Sequence, residues 1–319
     1  MASVTLVESA KLALNELIAG VIEKIVEVDP FFELLPFMGI NGNSLQYTRE
    51  NAIGAAGVAG VGDSITSAAT NPIDASVGGK AAATFTSVTS SLTSILGDAE
   101  VNGLIQATRS GDGNDQRAAQ VASKAKQLGR IYRHMLINGT GASNEIPGLI
   151  TLCAATQKAT TGNDGKNLDF EVLDEMIDLV RDKDGQVDYF LMPARSIRSY
   201  FSLLRALGGA SIDEVVTLPS GARVPGYRGI PIFRNDWIPT NQTKGGSSNT
   251  TTIFAGTLDS DGSGTQGLSG LTASEAAGIM VKEVGEAEDK DETITRLVWY
   301  CGLALFSELG LSCADGIKN

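Results

Sequence analysis

The chain has 319 residues, a net charge of −12 and 37 glycines against a 6% aromatic content. Affinity for nucleic-acid phosphate comes mostly from Lys and Arg, so this balance argues against a general nucleic-acid binder. No apolar run approaches the ~20 residues of a membrane span, and the length suggests about two domains or lobes.

Cys153, Cys301 and Cys313 are far apart, without a CxxC, and His134 is the single histidine. That pattern argues against a zinc site. It fits three buried thiols in a reducing cytosol. The N-terminus carries Glu8 and Glu16 and no cleavage pattern, so it does not read as a signal peptide.

Taken in order, residues 9–28 repeat Leu14, Leu17, Ile18, Val21, Ile25 and Val28 at helical spacing, with Ser9 as N-cap and Asp29-Pro30 as the stop. PFFELLPFMGI follows, too irregular for a strand and too apolar for free solvent. Phe31, Phe32 and Phe37 then pack either on their own core or on a neighbouring copy. SLQYTRE (44–50) and ATFTSVT (83–89) alternate like strands. Between them, residues 51–80 are almost uncharged Gly, Ala, Ser, Thr and Val. Two strands joined by such a tip make an extended hairpin with too little bulk for a core of its own. An isolated hairpin is marginal in water, so it needs a neighbour to lie on.

A short helical segment is expected at 93–106, then a break at SGDGND (110–115). From Asp115 to Asn138 a long helix presents Ala118, Val121, Ala122, Ala125, Leu128, Tyr132, Met135 and Leu136 on one face. Its other face carries Arg117, Lys124, Lys126, Arg130 and Arg133. Gly129 inside it reads either as a bend point or as a helix contact that needs no side chain. Asn138-Gly139 reads as a left-handed helix stop, and Pro147-Gly148 turns the chain again. A helix at 168–183 with Asp169 as cap, a buried strand VDYFLM (187–192) and a helix from Pro193 come next. Short strands fill 215–238. A polar loop (240–250), the strand TTIFAG, GIMVKEV and the long TITRLVWYCGLALF close the chain, the last two joined by an acidic turn.

Catalytic constellations are missing. His134 lies among basic residues and reads as a surface or interface side chain. Asp259-Ser260-Asp261-Gly262-Ser263-Gly264 starts like a calcium loop, but the twelfth position is Gly270 and not Glu, so a polar surface turn is expected. The spaced glycines at 54–63 lack GK[ST] and a strand–turn–helix context. Asp174 and Asp178 read as the solvent face of a helix. The informative residues are those of shape and self-association.

This order of elements resembles the major capsid proteins of tailed bacteriophages, the Hong Kong 97 fold. Three segments carry the resemblance: Asn138-Gly139-Thr140-Gly141 with Pro147-Gly148-Leu149-Ile150, the strand–Pro–helix stretch Tyr189–Leu204, and Gly226–Pro239. It implies an α+β chain in four parts: an N-terminal arm (1–43), an extended β-hairpin or E-loop (44–100), a peripheral domain with a long spine helix (101–149 and 275–300), and an axial domain (150–274 and 301–319). It further implies a structural protein of the virion, not an enzyme and without cofactor or metal. Copies would assemble in the host cytoplasm as hexamers and pentamers into an icosahedral head around double-stranded DNA. A scaffolding protein, a portal and a decoration protein are the candidate partners, and no membrane is involved. Candidate intersubunit contacts are Phe31, Phe32, Phe37, Arg49, Lys80, Phe85, Arg130 and Arg133. The arm begins almost at Met1, so either any scaffold is expected as a separate protein or this is a processed form. Lys80, Glu308 and Asn319 match no cross-linking pattern of the family. Two rival readings are an encapsulin-type nanocompartment shell of the same fold and an acidic hydrolase of unrecognised mechanism.

Overall fold

The computed structural model describes residues 30–62, 64, 71, 79–109, 115–182, 185–206 and 215–318. The helix expected at 9–28 and most of the break at 110–115 lie outside the described residues. The chain divides into two compact units, residues 44–90 and the remainder.

In chain order, Phe31–Leu34 makes one helical turn (α1) and Phe37–Ile40 a strand (β1). Pro36 separates them. Then come β2 (Ser44–Ala52), β3 (Thr84–Ser91), β4 (Thr93–Asn102), α2 (Gly103–Arg109), the long α3 (Gln116–Asn138) and the single turn α4 (Leu149–Leu152). β5 (Lys166–Asn167), α5 (Phe170–Arg181), β6 (Tyr189–Met192) and α6 (Ala194–Ala206) follow. The rest is strand: β7 (Val215–Thr217), β8 (Arg223–Tyr227), β9 (Ile230–Arg234), β10 (Gln242–Lys244), β11 (Ser247–Gly256), β12 (Leu268–Ala273), β13 (Ile279–Glu286), β14 (Glu292–Leu305) and β15 (Leu311–Lys318).

β2 and β3 form a two-stranded sheet, the expected hairpin. The expected span 44–100 is divided, because residues 93–102 belong to the other unit. The stretch 93–106, which reads from sequence as containing a short helical segment, is β4 as far as Asn102, paired antiparallel with β14 over ten registers from Thr93↔Cys301 to Asn102↔Glu292. The helical turn begins only at Gly103. The segment that reads as too irregular for a strand contains β1, which pairs in parallel with β12. A β-ladder supplies what its sequence pattern lacks. The five-stranded sheet runs β1-β12-β14-β13, with β4 also on β14.

Helix α3 packs on one face of this sheet. Asp115 caps it, accepting from the Arg117 N–H at 2.9 Å and satisfying one of the open donors of the first turn. Leu128, Tyr132, Met135 and Leu136 are buried, as their spacing predicts. Ala118 and Ala122, placed on the same face by sequence, are exposed. A Cβ at Gly129 would meet no atom within 4 Å, which overturns the reading of this glycine as a close helix contact.

The larger sheet runs β5-β15-β11-β6-β9-β8-β7, with β10 on β11. Part of the expected polar loop 240–250 is therefore strand. Alternation along the strands feeds two cores. Tyr189, Leu191, Phe233, Phe254, Leu311 and Cys313 join the cluster beneath α3. Phe190, Met192, Ile232, Ile253, Ala255 and Ala314 join the cluster under α5 and α6. A strand covered on both faces reads as an unbroken apolar run, as β6 does.

The corner after α3 is built on close approach. Gly139 has φ −59° and ψ 137°, so it is not the left-handed cap that Asn138-Gly139 suggests. The glycine is needed for a different reason. A Cβ there would collide with the carbonyl oxygen of Ile146, and one at Gly148 would stand 2.6–2.7 Å from Gly139 N, Met135 O and Ile137 O. The two backbone segments cross here, joined by Gly148 N–H donating to Gly139 O at 2.9 Å. Glu145 closes the loop by accepting from the Thr140 N–H (3.1 Å) and hydroxyl (2.8 Å). The loop turns a corner rather than cradling a ligand.

Cys153 and Cys313 correct the expectation of three thiols. They form a disulfide, with Cα atoms 6.5 Å apart, while Cys301 is free and buried. Burial pushes the Cys301 thiol up to about 12, which leaves it protonated and inert.

Two opposite outcomes are expected from glycine substitutions followed by denaturant unfolding. Gly148→Ala drives a methyl group into fixed backbone and should cost about 1–3 kcal/mol or more. Gly129→Ala adds the same methyl in open space and should gain up to about 1 kcal/mol of helix propensity.

Candidate intersubunit surfaces

The candidate residues fall in both units. In the larger one, Phe31 is fully enclosed by its own chain, its ring 4.8 Å from that of Tyr189 and 5.8 Å from that of Phe233. It has no side-chain surface left for a neighbour, which corrects its place among the intersubunit candidates. Phe32 is half-buried 5.7 Å from Tyr132, with the Arg133 guanidinium 5.4 Å above its ring. Phe37 lies 6.0 Å from Tyr132 and 6.5 Å from Trp299 and stays 41% exposed. Arg130 stacks over Trp237 at 5.5 Å, and His134 meets the same ring edge-on at 5.6 Å. The basic face of α3 thus gathers aromatic rings beside it, each such pair contributing about 0.5–1 kcal/mol where exposed. Sequence reasoning found these cations but not their rings, which lie far away in the chain.

The other three candidates lie in the hairpin unit. Arg49 stacks over Tyr47 at 5.6 Å, Lys80 is exposed, and Phe85 is 65% exposed. Ile53 and Val58 are exposed as well. Side-chain bonds cross the hairpin from Gln46 to Ser87 (2.8 Å) and from Asn51 to Thr86 (2.6 Å). Among its described residues only Gly79 and Ser90 are buried.

A further apolar strip belongs to the five-stranded sheet. Ile279, Val281 and Val284 of β13 are 40–55% exposed, while Leu96 of β4, 58% exposed and in register with Val298, lies on the face away from α3. Ile279 and Val281 pair with Trp299 and Leu297, so they share the α3 face but extend past the helix. Sequence reasoning missed Leu96 because β4 was not legible as a strand.

Two hollows beside the eight-stranded sheet and α5 bear on function. One, of about 840 Å³, runs along α5 and is lined by Glu171, Asp174, Glu175, Asp178 and Asp182. Several of these acids are engaged inside the chain. Lys166 donates to Glu171 at 2.6 Å, Tyr227 and Arg228 donate to Asp174 at 2.8 and 2.9 Å, and the Thr160 N–H donates to Glu175 at 2.9 Å. Asp174 is thus bound rather than simply solvated. The other, of about 330 Å³, is lined by Lys158, Lys244, Asp315 and Cys313. Lys244 bonds both the Asp315 carboxylate and the Thr161 hydroxyl, and Lys158 lies 3.3 Å from Asp315. Among the described residues no group of three or more His, Cys, Asp or Glu side chains is placed to hold a metal ion. The calcium-like run closes on itself: Asp259 is buried, not a surface residue as its sequence suggests, and accepts from the Gly264 N–H at 3.1 Å.

No family model and no curated protein sequence matches the chain. Solved structures match it along nearly its whole length. The SrpI encapsulin of Synechococcus elongatus PCC 7942 superposes with a TM-score of 0.71 and 17% identity, over 99% of this chain and 97% of that one. A chain from the capsid of Myoviridae phage XM1 gives 0.62 and 11%, over 95% and 97%. One from Microbacterium phage Oxtober96 gives 0.60 and 14%, over all of both chains. The chain has the Hong Kong 97-type capsid fold. At these identities the likeness is one of fold.

Within this capsid fold the Lys244–Asp315–Lys158 group gives a pH signature. Burial alone would raise the Asp315 pKa, but the Lys244 hydrogen bond and the charges of Lys244 and Lys158 outweigh it and hold the carboxyl below its usual range. An unfolded Asp titrates near 3.9. The group therefore adds stability that is complete above that pH and is lost as pH falls through the lower, folded value. Asp315→Asn should melt below the unaltered chain at pH 7, and the gap should begin to narrow below about pH 4.5 and close only under the lowered, folded value. Thermal melts across that range test it, and a gap still full-sized at pH 3 would contradict the assignment.

Proposed function

We propose that the chain is a shell subunit without enzymatic activity, the major capsid protein of a tailed-phage head. The hairpin unit 44–90 carries this reading: it is built as a separate body, and among its described residues only Gly79 and Ser90 are buried. Its support comes from an adjoining copy. The five-stranded sheet with α3 corresponds to the peripheral domain and the eight-stranded sheet with α5 and α6 to the axial domain. Copies join as hexamers and pentamers around double-stranded DNA, in host cytoplasm, with scaffolding, portal and decoration proteins as candidate partners. Phe37, Phe85, Lys80 and Arg49 are the side chains proposed to reach other copies. Each contact is modest, at about 25 cal/mol per Å² of apolar area before ordering costs. A subunit that touches several neighbours at once adds them through multivalency.

A second reading, an encapsulin-type nanocompartment, is favoured by one observation: the SrpI encapsulin superposes at a TM-score of 0.71, against 0.57–0.64 for the phage and GTA chains compared. Particles purified from producing cells separate the two. Nuclease-protected double-stranded DNA marks a phage head, enclosed protein cargo marks a nanocompartment, and the absence of closed particles overturns both.

Deleting residues 52–80 should leave a folded subunit by circular dichroism that forms no closed shells under negative-stain microscopy. Normal assembly of that variant would refute the proposed role of the hairpin.

A further inference from the structure

We propose that Cys153 and Cys313 are a thiol-oxidation site: a pair held ready by the fold, reached through the 330 Å³ cleft, and converted to a staple by a low-molecular-weight disulfide. Backbone bonds that do not involve sulfur bring the two residues together. Cys313 sits in β15, in register with Phe254 of β11. Its carbonyl accepts from the Ala159 N–H at 2.9 Å, which ties the segment after α4 to β15. On the other side, the Cys153 N–H donates to Leu149 O at 3.1 Å. The Cα separation of 6.5 Å lies within the range a disulfide spans. The reduced form is accommodated too, since the Cys153 sulfur lies 3.8 Å from Ala154 O and 3.9 Å from Gln157 O, acceptors for its S–H.

Access and charge point to the reagent. Both cysteines are more than nine-tenths buried, but Cys313 forms part of the cleft wall beside Lys158 and Lys244, with Asp315 the single acid among the lining residues. The two ammonium groups favour an anionic disulfide such as oxidised glutathione. The Cys313 thiolate attacks one glutathione sulfur and expels a glutathione thiolate. The Cys153 thiolate then attacks the Cys313 sulfur of the mixed disulfide and expels the second. Two protein thiols lose two electrons and two protons, and one small disulfide becomes two thiols. Cys301 takes no part, being buried and protonated. The bond joins residues 160 apart in sequence, a long loop of the kind whose closure most restricts the unfolded chain. The inference does not depend on the shell reading.

The test uses the full chain, reduced, desalted and then incubated with oxidised glutathione. Thiols counted after denaturation should fall from three to one, and a peptide map without reductant should show the 153–313 cross-linked peptide. The melting temperature should rise by roughly 5 °C, with unchanged near-ultraviolet dichroism. Cys313→Ser should abolish both the cross-link and the rise, and Cys301→Ser should keep both. A count that stays at three, a lasting glutathione adduct on Cys313, or a rise that survives Cys313→Ser overturns the proposal. The first two readings need no variant to fold.

Discussion

Tyr132 has no exposed surface; its ring lies 4.7 Å from Trp299 and close to Phe32 and Phe37, and its hydroxyl donates to the carbonyl of Gly302 at 3.2 Å. A buried hydroxyl without a partner costs about 1–3 kcal/mol, so this bond fixes the helix in register along β14 as well as against it. The rest of the larger unit depends on that contact. β14 is the strand to which β4, β12 and β13 all bond, and β12 carries β1. One turn further along α3, Met135, Leu136 and Ile137 enter the same apolar cluster as Tyr189, Phe233 and Phe254 of the other sheet. A single helix therefore sets both sheets around one core. The crossing at Gly139 and Gly148 sends the chain from the end of that helix directly into the second sheet's territory.

The two sheets differ in how completely they are covered. The eight-stranded sheet buries side chains on both faces, which explains why Tyr189 to Met192 carry no polar residue. The five-stranded sheet is covered by α3 over part of one face. Its other face, away from α3, carries Leu96 among ionic groups: Arg296 donates twice to Asp98 at 2.8 Å, and Lys282 sits 6.0 Å over the ring of Tyr300. Such pairs on an exposed sheet contribute little stability. They do interrupt the apolar surface, and charge on an exposed strand discourages unspecific edge pairing.

What was legible in the sequence was what has a local period. The spacing of Leu128, Tyr132 and Met135 gave α3, the alternation at 44–50 and 83–89 gave the hairpin, and the apolar run 187–192 gave a covered strand. What failed depended on distant partners. β4 was hidden because the middle two of its inward positions, Gly97 and Ala99, are small: Gly97 lies against Leu128, where a Cβ would stand 3.0 Å from Cδ1, so close packing blurred the alternation between Ile95 and Val101. β1 is four residues long and exists through its ladder to β12, more than 200 residues away in the chain. Cys153 and Cys313 carry no local signal of pairing. In PFFELLPFMGI, composition left open whether the rings belong to this chain or another, and the answer differs by residue. Phe31 is enclosed, while Phe37 is partly exposed. The basic face of α3 was readable as a non-apolar face, but nothing near it in sequence announced Trp237 or Phe32 as its partners.

The hairpin unit is a problem of energy balance. Ordering backbone costs about 1–2 kcal/mol per residue, and two nine- and eight-residue strands must recover that cost. Cross-strand pairs such as Gln46–Ser87 supply roughly 0.2–1 kcal/mol each, and side chains as exposed as Ile53, Val58 and Phe85 supply almost nothing by burial. Residues 44–90 therefore form an element whose stability depends on what it is laid against. The small residues of the tip suit that condition, because a backbone without bulky side chains can approach another surface closely and hydrogen-bond along it. In a closed assembly the missing burial is provided at every repeat of the same contact, so an element too weak to stand alone becomes firm only when the lattice around it is complete. On the proposed shell reading, assembly and the firming of this segment are a single event, and a stray copy has little with which to hold a wrong partner.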